Sequence, residues 1–237
     1  ATKQGEMNAT AFAAALAGAG LTIVSGLAAG IDAAAHRGAL PETASTIAVI
    51  GTGCDRIYPA SNAALAREIA ERGVIVSEFP IGTPPIAANF PRRNRLIAGL
   101  ARGCLVVEAA RQSGSLITAR LAAEAGREVF AIPGSIHSPQ SKGCHALIRQ
   151  GAKLVEAAQD ILEELRWEAV TNPAALPPVA EAETDPVLVA LGRDPCDLDT
   201  LIERTGLAAD ALLARLLPLE LDGRLAVLPG GRYQRLN

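Results

Sequence analysis

Arg92, Arg93 and Arg95 open one apolar segment of this chain, Ser113-Gly114-Ser115 opens the next, and Lys142 follows a further strand-like run. Guanidinium and ammonium groups bind phosphate directly. Small residues at a helix start add exposed backbone N–H groups, a positive dipole end and hydroxyls. The chemistry this set suits is the holding of a polyanion. Between Phe90 and Arg111 there are five arginines and one acid, Glu108, a local net charge of +4 against −3 for all 237 residues. Fixed cations concentrated on a mildly acidic chain raise the local concentration of phosphates. Scattered arginines on a solvated helix start would give the same count, so charge alone does not decide.

Glycine turns add candidate amide donors. Ser25-Gly26-Leu27-Ala28-Ala29-Gly30 follows a short apolar run and precedes a helical one, a position where turns meet phosphate. It lacks the full Gly-x-Gly-x-x-Gly spacing, which favours a phosphate contact over a nucleotide cofactor. Gly51-Thr52-Gly53 can hold an anion on its N–H groups or serve only as a tight turn. Asp32 and His36 stand four apart on one helix face with no third ligand near them in sequence. A cap and a polar contact are favoured there over a metal or catalytic pair. His137 and His145 flank Lys142, yet neither Ser113 nor Ser135 has the Gly-x-Ser-x-Gly form of a nucleophile elbow. No catalytic residue, metal ligand or cofactor is assigned. Cys54, Cys104, Cys144 and Cys196 form no Cys-x-x-Cys pair, which suits unpaired thiols in a reducing cytoplasm.

The elements that must position these groups alternate. Apolar runs at Leu21–Ser25, Thr46–Ile50, Val74–Ser77, Cys104–Glu108, Val129–Ile132 and Lys153–Val155 read as buried strands. Helical patterns separate them, at 6–17, 31–40, 61–72, after Arg95, after Ser115, 143–150 and 159–165. Such alternation implies a mostly parallel sheet with helices on both faces, its ligand beyond the carboxyl ends of the strands. The glycine turns fall at those ends. Residues 168–185 are Pro- and Ala-rich without apolar period and read as a linker. From Pro186 the pattern gives three helices, the last over Ala208–Leu217, and a hairpin turning at Gly230-Gly231. That is a winged-helix layout. The predicted organisation is 1–167, 168–185 and 186–237.

No apolar run approaches the ~20 residues that span a bilayer. Residues 1–159 carry net +4 and residues 160–237 net −7, so a polyanion should meet the first part. Aromatics make up 3%, too few for a sheet that stacks bases on rows of rings; Tyr58 and Phe90 are the stacking candidates.

Several linked motifs then resemble one family. Val24-Ser-Gly-Leu-Ala-Ala-Gly-Ile-Asp-Ala-Ala-Ala-His36, Gly51-Thr-Gly-Cys-Asp-Arg-Ile-Tyr-Pro59 and Phe90-Pro-Arg-Arg-Asn-Arg-Leu-Ile-Ala-Gly-Leu100 are similar to the DNA-processing family DprA, also called Smf. So are Ser113-Gly-Ser-Leu-Ile-Thr-Ala-Arg120, Val129-Phe-Ala-Ile-Pro-Gly134 and Ser141-Lys-Gly-Cys-His-Ala-Leu-Ile148. The resemblance covers about residues 3–156, and the tail resembles the winged helix that many members carry. It implies an extended Rossmann-like domain binding single-stranded DNA without nucleotide hydrolysis. It further implies a homodimer through that domain, and loading of the RecA recombinase onto incoming strands during natural transformation. Carried over, the DNA-contacting positions are Arg92, Arg93, Arg95, Ser113, Gly114, Ser115 and Lys142, with the Ser25–Gly30 and Gly51–Gly53 turns lining the pocket.

The chain departs from the family pattern in three places. The first strand, with its Val-Gly-Ser-Arg turn, is expected ahead of Thr2. The N-terminal helical domain of many members is not among these residues, and His145 stands where the family usually has Asn. The last predicted helix offers Arg215 against Asp210 within the acidic part of the chain, too little for a groove-reading helix, so the winged helix is expected to contact protein. The alternative reading is a nucleotide-binding protein or a nucleotide N-glycosidase with Glu124 as its acid.

Overall fold

In the computed structural model, residues 1–167, 185–192 and 194–236 are described. The chain divides into two compact units, Ala1–Ala174 and Ala175–Asn237.

In the first unit, Thr2 caps α1 (Lys3–Gly18), its hydroxyl accepting from the Gly5 amide. The buried face of α1 is mostly alanine (Ala9, Ala13 and Ala17, with Leu16), which lets α2 (Ile31–Ala39) approach closely. At Gly38 a Cβ would overlap the Thr10 carbonyl, so that crossing needs glycine. Between and after these helices run β1 (Ile23–Ser25), β2 (Thr46–Val49) and β3 (Val74–Val76), parallel and in that order, with α3 (Ala63–Arg72) joining the last two. Leu27, Ala48, Ile50, Leu65 and Ile69 form the core beneath them.

A second parallel set follows: β4 (Gly103–Val106), β5 (Glu128–Ala131) and β6 (Lys153–Leu154). Its connections are α5 (Ser115–Glu124) and α6 (Lys142–Arg149), and α7 (Ala158–Glu164) comes after it. The helix α4 (Asn89–Leu100) leads from the first set into the second and packs on α5. The alternation read from the sequence is therefore present, but the ladder is divided. Among the described residues β1 and β4 each pair on one side only, and both line a cavity of about 750 Å³ with Phe12, Leu16, Phe130 and Trp167. Among the described residues the first element is α1, and no strand precedes it.

The second unit has a core of Val187, Leu188, Leu191, Leu201, Leu212, Leu216, Leu219 and Leu225. Asp185 caps α8 (Pro186–Leu191), so it belongs to this unit and not to the linker; residues 168–184 lie outside the described residues. Then come β7 (Cys196–Asp197), α9 (Leu198–Thr205), α10 (Ala209–Leu221), β8 (Leu225–Leu228) and β9 (Arg232–Arg235). The three strands are antiparallel in the order β7-β9-β8, a winged helix. The pattern predicts that the last helix ends at Leu217, but α10 runs through Pro218 to Leu221. Proline there removes one intrahelical bond, and the extra turn puts Leu219 in the core, which offsets the loss. The acidity assigned to this part also shifts. Residues 186–237 hold six basic and seven acidic side chains, so most of the negative surplus lies in 160–185.

Candidate nucleic-acid interface

Parallel strands deliver the loops that follow them to a common rim. Here Ser25 and Gly26 end β1, Gly51 to Gly53 follow β2, Glu78 follows β3, Ser113 follows β4 and Lys142 follows β5. The start of α4 folds back onto the same rim, where Arg93 reaches the ends of β1 and β2 and Arg95 reaches Glu78. All twelve residues expected at the site lie on or beside this edge. Their donors, however, do two different things.

One group is used internally. The Gly26 and Ala28 amides both donate to Asp32 Oδ2, at 3.1 and 3.2 Å, and the Leu27 amide donates to His36 Nε2 at 3.3 Å. Asp32 thus caps the turn and not the helix. Gly30, at φ 84°, starts α2 without any side-chain cap. Gly51 lies against the Phe90 ring, and the Gly53 amide donates to the Thr83 carbonyl at 3.1 Å. Gly26, Gly51 and Gly53 are all buried. The Gly26, Leu27 and Ala28 amides of the first turn and the Gly53 amide of the second are therefore not the free N–H groups expected there, because Asp32, His36 and the Thr83 carbonyl already use them.

Arg93 belongs to this group too. Its side chain is buried, and Nη1 donates to the Gly26 carbonyl at 2.6 Å and to the Val49 carbonyl, while Nε donates to Asn94 Oδ1 at 3.0 Å. A Cβ at Gly26 would overlap the guanidinium, so the glycine serves close approach of this side chain. Burial lowers the Arg93 pKa and Asp32 opposes that shift. The phosphate clamp expected at Arg93 becomes a brace that holds α4 against the ends of β1 and β2.

The other group faces outward. Arg92 and Arg95 are exposed on the first turns of α4. Gly114 is exposed at the start of α5 with open space around it, and its amide makes no hydrogen bond among the described residues. Ser113 Oγ and Ser115 Oγ are 2.7 Å apart, and the Ser115 amide makes only a long contact of 3.4 Å to Ser113 Oγ. Lys142, half-buried at the start of α6, bonds the Ile136 carbonyl. Ser25, Ser113, Gly114 and Ser115 all line the cavity between β1 and β4. This is an anion site in form: helix-end amides and hydroxyls at the start of α5, with cations on α4 and α6.

Among the described residues, no serine hydroxyl of this rim bonds a histidine ring. Ser113 bonds Ser115, and His145 Nε2 lies 2.9 Å from the Gly134 carbonyl oxygen. Glu124 stands exposed at the far end of α5 in an ion pair with Arg120 at 3.8 Å, away from the end that attracts anions. Burial pushes the Cys104 and Cys144 thiols up to about 11, where they stay protonated. Tyr58 and Phe90 pack on one another with ring centroids 5.5 Å apart.

Two models of known families match the chain. One, described as DNA recombination-mediator protein A, covers residues 1–166; the other, the DprA winged helix domain, covers residues 171–231. The chain belongs to the DprA family. It is 47% identical to the protein Smf of Escherichia coli over 241 residues, covering 98% of this chain and 64% of that protein. A solved DprA from Streptococcus pneumoniae superposes with a TM-score of 0.65 at 51% identity, covering 69% of this chain and 58% of that one. A DprA from Helicobacter pylori, solved for its single-stranded DNA binding mode, gives 0.64 at 33% identity, covering 70% and 75%. The chain thus spans less than two-thirds of the length of the Escherichia coli relative.

Within this DprA domain, sequence reasoning missed Glu78, which takes both exposed arginines of α4. It also missed how far His36 is buried. His36 Nδ1 lies 2.7 Å from Thr46 Oγ1, and its pKa falls to about 4, first through burial, with Asp32 raising and Arg93 lowering it. An unfolded histidine titrates near 6.5, so the unfolded chain takes up the proton first as pH falls. Stability from this group is complete above about pH 6.5 and is lost as pH drops towards 4, by roughly 3 kcal/mol. Urea unfolding at pH 7, 5.5 and 4.5 measures it. A profile unchanged by His36→Gln would assign the pH dependence elsewhere.

Proposed function

We propose that this chain is a non-enzymatic single-stranded DNA-binding protein of the cytoplasm. On this reading it protects incoming strands and loads a RecA recombinase onto them during natural transformation, as a homodimer through its Rossmann-like unit. The observation that carries the binding reading is the unused Gly114 amide between two serine hydroxyls, with Arg92, Arg95 and Lys142 along the same edge. The single-stranded DNA binding mode described for the Helicobacter pylori relative supports it. With so few aromatics, affinity comes mainly from phosphate contacts and falls steeply with salt.

The winged-helix unit is read as a protein contact. Leu213, Leu217 and Leu221 are exposed four residues apart on α10, alongside Asp210 and Glu220, and Arg215 is the helix's one basic residue. Such a face does not suit a phosphate-lined groove.

The test is a titration of oligo-thymidylate, duplex DNA and RNA at several salt concentrations. Arg92→Ala and Lys142→Ala are each expected to weaken oligo-thymidylate binding about fivefold and to reduce the salt slope by about 0.7, the share of one phosphate on a single strand. Weaker binding with an unaltered slope would remove these side chains from the phosphate contacts. Loss of duplex binding in Arg215→Ala would make α10 a DNA reader. Release of free base from nucleoside monophosphates would restore the enzyme reading.

A further inference from the structure

Arg92 and Arg95 lie three residues apart on α4, with side chains 66% and 54% exposed, yet both turn to one carboxylate. Glu78 stands two residues beyond β3, its side chain 15% exposed. Arg95 Nη2 donates to Glu78 Oε2, while Arg92 Nε lies 3.9 Å from Oε1 and also faces the Phe79 ring at 5.6 Å. Oε1 is buried and has no hydrogen-bond partner.

This arrangement is poor for stability. A buried carboxylate oxygen left unpaired is unfavourable, and ion pairs to exposed arginines return little. It is well suited to something else. Carboxylate and phosphate present similar oxygens to a guanidinium, and an acid already held between two arginines occupies the place a phosphate would take. The pair and its acid carry +1 in place of +2.

We infer that Glu78 is an internal competitor for strand phosphate, setting how tightly Arg92 and Arg95 hold the ligand. This rests on the single-strand reading above. A bound phosphate draws one or both guanidiniums from Glu78, and the carboxylate takes them back on release. Binding at this end of the rim is thereby weakened and kept reversible.

Glu78→Gln in the full chain removes the charge and keeps the shape. Against oligo-thymidylate about twenty nucleotides long, in 50 to 300 mM KCl, it is expected to bind about fivefold tighter at 100 mM. Its salt slope should be steeper by about 0.7, because one more phosphate's counterions are released. Its thermal midpoint should equal or exceed the wild type's, as a half-paired buried charge is gone. In the Glu78→Gln background Arg95→Ala should lower affinity by a larger factor than in the wild type, a comparison that separates competition from a change in fold. Equal or weaker binding by Glu78→Gln, with the wild type binding normally, overturns the inference and makes Glu78 a positioning residue that aims the arginines. No saturable binding by the wild type would overturn the single-strand reading, and this inference with it.

Discussion

Replacing Arg93 by alanine is expected to destabilise the first unit by about 3–5 kcal/mol, the usual consequence of breaking a buried charged network. The side chain bonds the Gly26 and Val49 carbonyls from one nitrogen and sits beside Asp32, so its loss leaves two buried acceptors and a poorly compensated acid. Gly26 gives way only because its missing Cβ makes room for the guanidinium, so truncation also opens a void that the turn cannot fill. For a unit of this size the thermal midpoint should fall by about 10 °C. Arg93→Lys should recover little, since an ammonium lacks the planar fork that spans these acceptors and Asn94. Thermal melts followed by far-UV circular dichroism measure both. Arg92→Ala is the contrast: it removes a guanidinium 66% exposed and should change stability by less than about 1 kcal/mol. If Arg93→Ala melted with the wild type while losing DNA, the residue would be a phosphate clamp after all.

Most of the fold was legible because strand and helix periods differ so plainly here. Val74–Val76 and Glu128–Ala131 lie among Val/Ile-rich runs, and the helices between them repeat their apolar residues at three and four. The two-residue strand β7 was not legible, since Cys196 and Asp197 show no period and owe their assignment to Tyr233 and Arg232 across the ladder. Nor was the reach of α10 past Pro218, where burial of Leu219 outweighs local propensity. At the site the rim itself was readable, because strand ends and glycine turns mark it in any parallel sheet. Which donors remain for a ligand was not. Arg92 and Arg93 are neighbours of one type, and only the direction each takes from α4 separates a surface cation from a buried brace. Asp32 likewise takes the amides of a turn that composition alone would give to phosphate.

The helix start at Gly114 allows stability and binding to be driven in opposite directions. Gly114→Asp places a carboxylate where the N-terminal end of α5 favours negative charge, and nothing within 4 Å obstructs a Cβ there. The backbone at φ −61° suits any residue, so the fold should hold or gain about 0.5 kcal/mol. For a strand phosphate arriving about 5 Å away, the same charge is repulsive by about 3 kcal/mol at an effective dielectric near 20, roughly a hundredfold in affinity. Gly114→Ala isolates the steric part: a methyl group in open space should leave stability unchanged and binding within about threefold. Fluorescence anisotropy with labelled oligo-thymidylate, read beside the thermal midpoint, resolves the two quantities. An aspartate variant that melts like the wild type and still binds the strand would take the α5 terminus out of the interface. The binding would then rest on the side-chain cations of α4 and α6, Arg92, Arg95 and Lys142.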